Sequence, residues 1–325
     1  MEFQSLFHQY WQHLHDPHVR SLAWMLTSPD LLAAKSPTWS NQIASIPITD
    51  PQALISWLSA LDRQPAPLHQ ALELHKHSRL GHYAENLLAF YLKHQGTLFA
   101  HGLQVKQGTG QTVGEFDFLV RQRSGLAHWE LTTKFYLFDP GSETGELQPG
   151  YQPDLYSYVG PNLADTLGAK MAKIIDHQLP LAQNPLAQFV VQESIYKSQA
   201  LVKGWLFYRD LAHAEHGAAG ISPNHCRGFW WFMDDMDKLA IPYAMILPRQ
   251  QWLAPAQARE EEVMSKPLLL DALLRHFAND SAPAMVAIMR RNGELMQEIC
   301  RGMVVPDKWL RQAAERRGLL RSPLI

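Results

Sequence analysis

The sequence predicts an α/β chain of mixed α+β character, built on one central mixed sheet flanked by helices and preceded by a helical N-terminal extension. Three observations lead there. Apolar residues recur at helical spacing through the first hundred residues, the period then drops to two, and the later chain sets helical stretches among short apolar runs of strand length.

In order along the chain, "FQSLFHQYWQHL" and "PHVRSLAWMLTSPDLL" carry helical periodicity, the second opened by Pro17, whose missing N–H costs nothing in a first turn. "AAKSPTWSNQIASIPIT" reads as a loop with room for a short strand. In "DPQALISWLSAL", Asp50 is the expected N-cap and Pro51 the first helical residue. A longer helix is expected over about 68 to 94, burying Leu80, Tyr83, Ala84, Leu87, Leu88 and Tyr91, with Glu85 at the edge of that stripe.

A first strand is expected in "TLFAHGLQVKQ". In "VGEFDFLVR", Val113, Glu115, Asp117 and Leu119 alternate with Phe116, Phe118 and Val120. "QRSG" is the turn, with Gly125 free to take positive φ. The partner "HWELTTKFYL" sets His128, Glu130, Thr132, Lys134 and Tyr136 against Trp129, Leu131, Thr133, Phe135 and Leu137. Each strand therefore buries an aromatic side and turns ionisable residues toward a shared face. A Gly/Pro-rich loop leads to a helix in "LADTLGAKMAKIIDHQLPLA", ended near Pro180. Strands follow at "ALVKGWLFYR", "RGFWWFM" and "PYAMILP". Asn292-Gly293 marks a hairpin, although "ELMQEI" also suits a helix, and "DKWLRQAAERRG" closes the chain as a helix.

Composition narrows the function. Against 29 Lys and Arg stand 31 Asp and Glu, so nucleic acid is not held by bulk charge, and a local basic groove is what remains. The start lacks the apolar core of a secretory signal and no run approaches a membrane span, so a cytoplasmic protein without a membrane partner is expected. Two distant cysteines suggest neither a disulfide framework nor a thiol metal site. The 16 histidines are scattered; "HKH" at 75 to 77 comes nearest to ligand spacing and reads better as a solvated helix flank. No Gly-x-Ser-x-Gly elbow is present, and "VKQGTGQTVG" lacks the Lys-Ser or Lys-Thr of a phosphate loop.

The chemistry concentrates in the hairpin. Carboxylates of Asp117 and Glu130 converging on one face repel unless protonated or bridged by a cation. Mg²⁺ or Mn²⁺ suits two carboxylates plus a substrate phosphate, and a nearby lysine can offset developing charge. "GEFDFL" followed by "HWELTTKFY" resembles the hairpin of the PD-(D/E)XK, restriction-endonuclease-like, nuclease superfamily. "VRSLAWMLTSPDLL", "RLGHYAENLLAFYL", "GEFDFLV", "HWELTTKFYL" and "GWLFYR" are similar to DUF1853, a bacterial family assigned to that superfamily. The resemblance implies a core over 67–210, with 1–66 packed on it and 211–325 extending the same domain. It implies phosphodiester cleavage in DNA, Asp117 and Glu130 as metal ligands, and Glu85 as a further acid. The superfamily lysine follows its Glu by two residues, where this chain has Thr132; Lys134 keeps the parity but lies roughly 13 Å along the strand, a gap that a strand bend, a bulge or a lysine reaching back would close.

Around this site Lys170, Lys173 and His177 share a helix side suited to phosphate, Gln178 matches a glutamine that some members place near the metal, and Arg79 precedes the Glu85 turn. Each also has a plain reading as a solvated or paired surface residue, and Glu115 reads as a solvated strand-start acid. Adjacent Trp230 and Trp231 invite base stacking but fit a core better. Two other classes stay open: a catalytically silent nucleic-acid or protein interaction module, and a hydrolase of small phosphate esters.

Overall fold

The structure is a computed structural model that describes residues 3–72, 79–108, 110–142, 144–147, 150–280 and 282–321. The "HKH" tripeptide and residues 73–78 of the long helix expected over 68 to 94 lie outside the described residues.

The N-terminal layer consists of α1 (Phe3–Trp11), α2 (Pro17–Thr27), α3 (Pro51–Arg63), α4 (Ala66–Leu72) and α5 (Leu80–His94). Its helices begin where local chemistry dictates. Asp16 accepts the His18 and Val19 N–H groups ahead of α2, and Asp50 accepts the Ala53 N–H at 2.9 Å ahead of α3. The expected 68–94 helix is interrupted: Arg79, at φ −105° and ψ 120°, is extended, and α5 starts after it. Within α5 Tyr83, Ala84, Leu87, Leu88 and Tyr91 of the predicted stripe are buried together with Leu92, whereas Leu80, at the first position of the helix, is only partly buried.

Among the described residues one mixed sheet contains β1 (Leu98–Gln107), β2 (Gln111–Gln122), β3 (Gly125–Phe138), β4 (Tyr158–Val159), β5 (Ile195–Tyr208), β6 (Cys226–Phe232), β7 (Tyr243–Ile246), β8 (Gln257–Ala258), β9 (Ala284–Asn292) and β10 (Leu295–Val305). The order is β1-β2-β3-β5-β6-β10-β9-β7, with β4 beside β3 and β8 beside β10. Strands β3, β5, β6 and β10 are parallel, and antiparallel pairs extend both edges. Thus the strands after residue 210 continue the sheet begun by the hairpin. "ELMQEI" is strand, paired across the Asn292-Gly293 turn.

Helices α6 (Leu167–Lys173), α7 (Pro185–Val191), α8 (Met233–Met236), α9 (Lys266–Asn279) and α10 (Trp309–Arg321) complete the chain. The N-terminal helices pack against Phe118, Trp129, Leu131, Phe135 and Trp205. On the opposite face α6 meets Tyr136, Val202 and Leu206, α7 meets Phe116 and Leu119, and α9 meets Val286 and Val304. With both faces covered, parallel β5 is apolar almost throughout, as "ALVKGWLFY" reads. Trp230 and Trp231 are both core, on opposite faces. Helix α9 is absent from the sequence reading, although Ser265, Pro267 and the spacing of Leu269 and Leu273 mark it. No described helix is long and apolar enough to cross a membrane.

Within β5, Gly204 faces Lys134 of β3, and a Cβ there would stand 1.8 Å from the Lys134 carbonyl oxygen. No side chain can enter without parting the two strands. Gly204→Ala is expected to destabilise the fold by more than about 3 kcal/mol. Gly318→Ala, in α10 with open space around it, is expected to stabilise by roughly 0.5 kcal/mol. Urea unfolding of both variants checks the pair, and equal midpoints would contradict the close approach.

Candidate active site

The site forms where β2 and β3 part. Their ladder runs from Gln122–Gly125 to Phe118–Trp129 and stops there. Beyond it the Leu131 N–H is accepted by Asp117 Oδ2 at 3.0 Å. The side chain therefore completes the hydrogen bonding of a backbone that its own strand has left. The alternation of β2 slips at the same point. Phe118 and Val120 enter the main core as expected, whereas Phe116 turns to the other side, packing with Val105 and Leu119 and edge-on to His128 at 4.7 Å.

Glu130, expected on the ionisable face of β3, is there and almost completely buried. His128 Nε2 lies 2.8 Å from its Oε1, and Gln178 Nε2 donates to its Oε2 at 2.6 Å. Lys170 Nζ lies 3.5 Å from the amide oxygen of Gln178. Lys170 and Gln178 come from one segment: α6 widens into a π turn over Ile174–Gln178, then tightens into a 3₁₀ turn over Leu179–Gln183. Eight residues of α-helix overshoot two turns by about 80°. A wider turn rotates less per residue and brings Gln178 back toward the Lys170 side. Pro180, which has no N–H to continue an α-helical ladder, sits at the end of that turn.

Burial, followed by the charges of Glu130 and Glu85, holds the Asp117 carboxyl well above the usual range, up to about 8. Burial likewise raises Glu130, against hydrogen bonds from Asp117 and the charge of Lys170. Burial also pushes His128 down to about 4, so at neutral pH it is an uncharged partner rather than a counter-ion. Its Nδ1 is buried without a partner.

The other sequence candidates divide. Glu85 stands on the second turn of α5, half-buried, 3.1 Å from His82 Nδ1, and close enough to raise both carboxyls. Glu115 is exposed and bonded to Gln104. Lys134 Nζ does not turn to Glu130 but pairs with Asp165 Oδ2 at 2.7 Å. Arg79 is exposed at the N-cap of α5, and Lys173 and His177 are exposed on α6 and its π turn. Sequence reasoning assigned no role to Asp165 or His128. His128 was legible by parity with Glu130; Asp165 sits in a loop and carries no local signal.

A family model described as a domain of unknown function, DUF1853, matches residues 20–305. The chain belongs to the DUF1853 family. No curated protein and no solved structure matches it. The match takes in every residue of the site above.

Among the described residues no group of three or more His, Cys, Asp or Glu is arranged to hold a metal ion. This DUF1853 site offers two carboxylates with a third acid near by. That donor set fits Mg²⁺ or Mn²⁺, hard ions content with one or two carboxylates and several waters, and does not fit structural zinc. Burying two acids without a full counter-charge has a consequence for stability. A carboxyl raised in the folded state binds more protons than in the unfolded state between its two pKa values, so its contribution is complete at acid pH and is lost as pH climbs to about 8. Without added metal, Asp117→Asn is expected to gain on the wild type by at least about 1 kcal/mol between about pH 5 and about pH 8. Urea midpoints at both pH values measure this; a difference between the two proteins that does not change with pH would contradict it.

Proposed function

We propose that this DUF1853 protein is a cytoplasmic, metal-dependent nuclease of the PD-(D/E)XK type that cleaves phosphodiester bonds in DNA, with Asp117 and Glu130 as the ligands of Mg²⁺ or Mn²⁺. The observation that carries the reading is a pair of carboxyls on diverging strands, both pushed toward protonation by burial, at a half-open site. Such a pair stabilises a bound cation in proportion to the repulsion it relieves. The resemblance of "GEFDFL" and "HWELTTKFY" to the superfamily hairpin points the same way.

A divalent ion would supply Lewis-acid polarisation of the phosphate and a more acidic bound water. The chain does the rest. Leu131 N–H fixes the Asp117 carboxylate, while neutral His128 and Gln178 fix the two Glu130 oxygens without cancelling their charge. Lys170, half-buried beside them, is a cation for the anionic substrate. Exposed Lys173 and Arg79 are surface cations for its flanking phosphates.

A second reading keeps the fold as a catalytically silent module for nucleic acid or protein. It is favoured by the engagement of Lys134 with Asp165, which removes the strand lysine from the carboxylates. Cleavage assays on linear, circular, single-stranded and branched DNA with Mg²⁺ or Mn²⁺ separate the two. Glu130→Gln is expected to reduce cutting at least roughly 10²-fold while remaining folded by circular dichroism. A wild type that cuts none of these substrates supports the module; one that hydrolyses nucleotide monoesters alone supports a small-ester hydrolase.

A further inference from the structure

We infer that Lys170, borne by α6, is the catalytic cation that meets the scissile phosphate, and that the strand lysine Lys134 is instead a positioning residue that clamps the start of α6. This rests on the nuclease reading and deepens it, dividing the roles of the two lysines. The first observation concerns the gap between Glu130 and Lys134. A bulge could close it, but the pairing of β3 with β5 runs without a register shift from Ala127–Lys197 to Leu137–Phe207, so Lys134 stays roughly 13 Å along the strand from Glu130. Gly204 packs closely against the Lys134 carbonyl at this point of the ladder.

The second observation is where the Lys134 side chain goes. Its Nζ is held by Asp165 Oδ2, which Tyr136 OH also reaches at 3.3 Å. The Asp165 backbone oxygen accepts the Gly160 N–H at 2.9 Å, closing the loop before α6. The next residue, Thr166, caps α6 by accepting the Ala169 N–H, and its carbonyl accepts the Lys170 N–H at 2.9 Å. Lys134 therefore fixes the residue just before the N-cap of the helix on which Lys170 stands. The third observation is the chain of contacts from Lys170 to the carboxylates: Nζ to Gln178 Oε1, then Gln178 Nε2 to Glu130 Oε2. Both Asp117 and Glu130 feel the Lys170 charge. Phosphate at this pair would stand between the acids and Lys170, whose amide contact is long enough to be exchanged for a phosphate oxygen.

Kinetics with Mn²⁺ on the best DNA substrate give one test. Lys170→Met is expected to lower kcat roughly 10²-fold with folding intact, and Lys170→Arg to recover part of it. Lys134→Met is expected to lose less, and Lys134→Arg to restore it. A second readout needs no turnover: amine acetylation followed by mass spectrometry, with Ca²⁺ and an oligonucleotide. Lys170 is expected to be protected on binding and Lys134 not, and Lys134→Met is expected to change the Lys170 acetylation rate in the unbound protein, with Lys134→Arg reversing that change. Protection of Lys134 with loss of cutting in Lys134→Met, or full activity in Lys170→Met, overturns the inference while leaving the nuclease reading in place. A wild type that cuts no DNA and binds neither ion overturns both.

Discussion

Two carboxyl groups brought together at the fork between β2 and β3 repel each other in a setting that water only partly reaches, and the surrounding residues manage that repulsion without removing it. Asp117 takes a backbone N–H, and Glu130 is bonded by an uncharged imidazole and a neutral amide. Lys170 supplies the positive charge from a distance, while Glu85 adds a further negative one. A purely structural acid pair would be answered by a tight ion pair, as Glu298 is answered at 2.7 Å by Arg301 elsewhere in the same sheet. At the fork the neutral partners hold geometry and leave charge uncompensated. The proposed cation-binding role rests on that uncompensated charge.

The segment after the hairpin turns this pair into a site. A regular helix would turn Gln178 about 80° from Lys170; the π turn and the proline that follows it change the rotation so that Gln178 stays beside Lys170 while its amide bonds Glu130. Irregular backbone here carries side chains to Glu130 while Leu167, Met171 and Ile174 still bury against Tyr136 and Val202. Packing and placement thus come from one short stretch with different faces.

The layer that carries Glu85 is fixed by buried charges far from the fork. Arg20 of α2 donates to the carbonyls of Trp11, Leu14 and Pro255, and Lys203 of β5 donates to the Ser28 carbonyl at 2.7 Å and pairs with Asp30. Arg301 joins Glu298 to the Trp252 and Ala254 carbonyls. Breaking such a pair leaves an uncompensated charge in the interior, so these contacts tie the N-terminal helices to the sheet in one arrangement. The α5 acid is then held against the fork rather than free to relax from it.

By itself the sequence determined what depends on neighbours along the chain. Strand alternation placed His128, Glu130 and Lys134 on one side of β3 and Trp129, Leu131 and Phe135 on the other, while Pro17 marked the start of α2 and the Asp50 cap with Pro51 that of α3. Period and capping are local, so a single chain displays them. The slip of Phe116 was not legible, because it follows from β2 leaving its partner. The extended Arg79 that separates α5 from α4 was hidden behind an unbroken helical pattern. Only the tertiary structure decided which lysine meets which acid. Lys134 found Asp165 on a loop, and Gln178, with Lys170 beside its amide, reached Glu130 because a parallel crossover laid α6 across β3. Parity fixes the face a side chain occupies, but the distant segment brought against that face is set by the order of strands and the packing of whole layers.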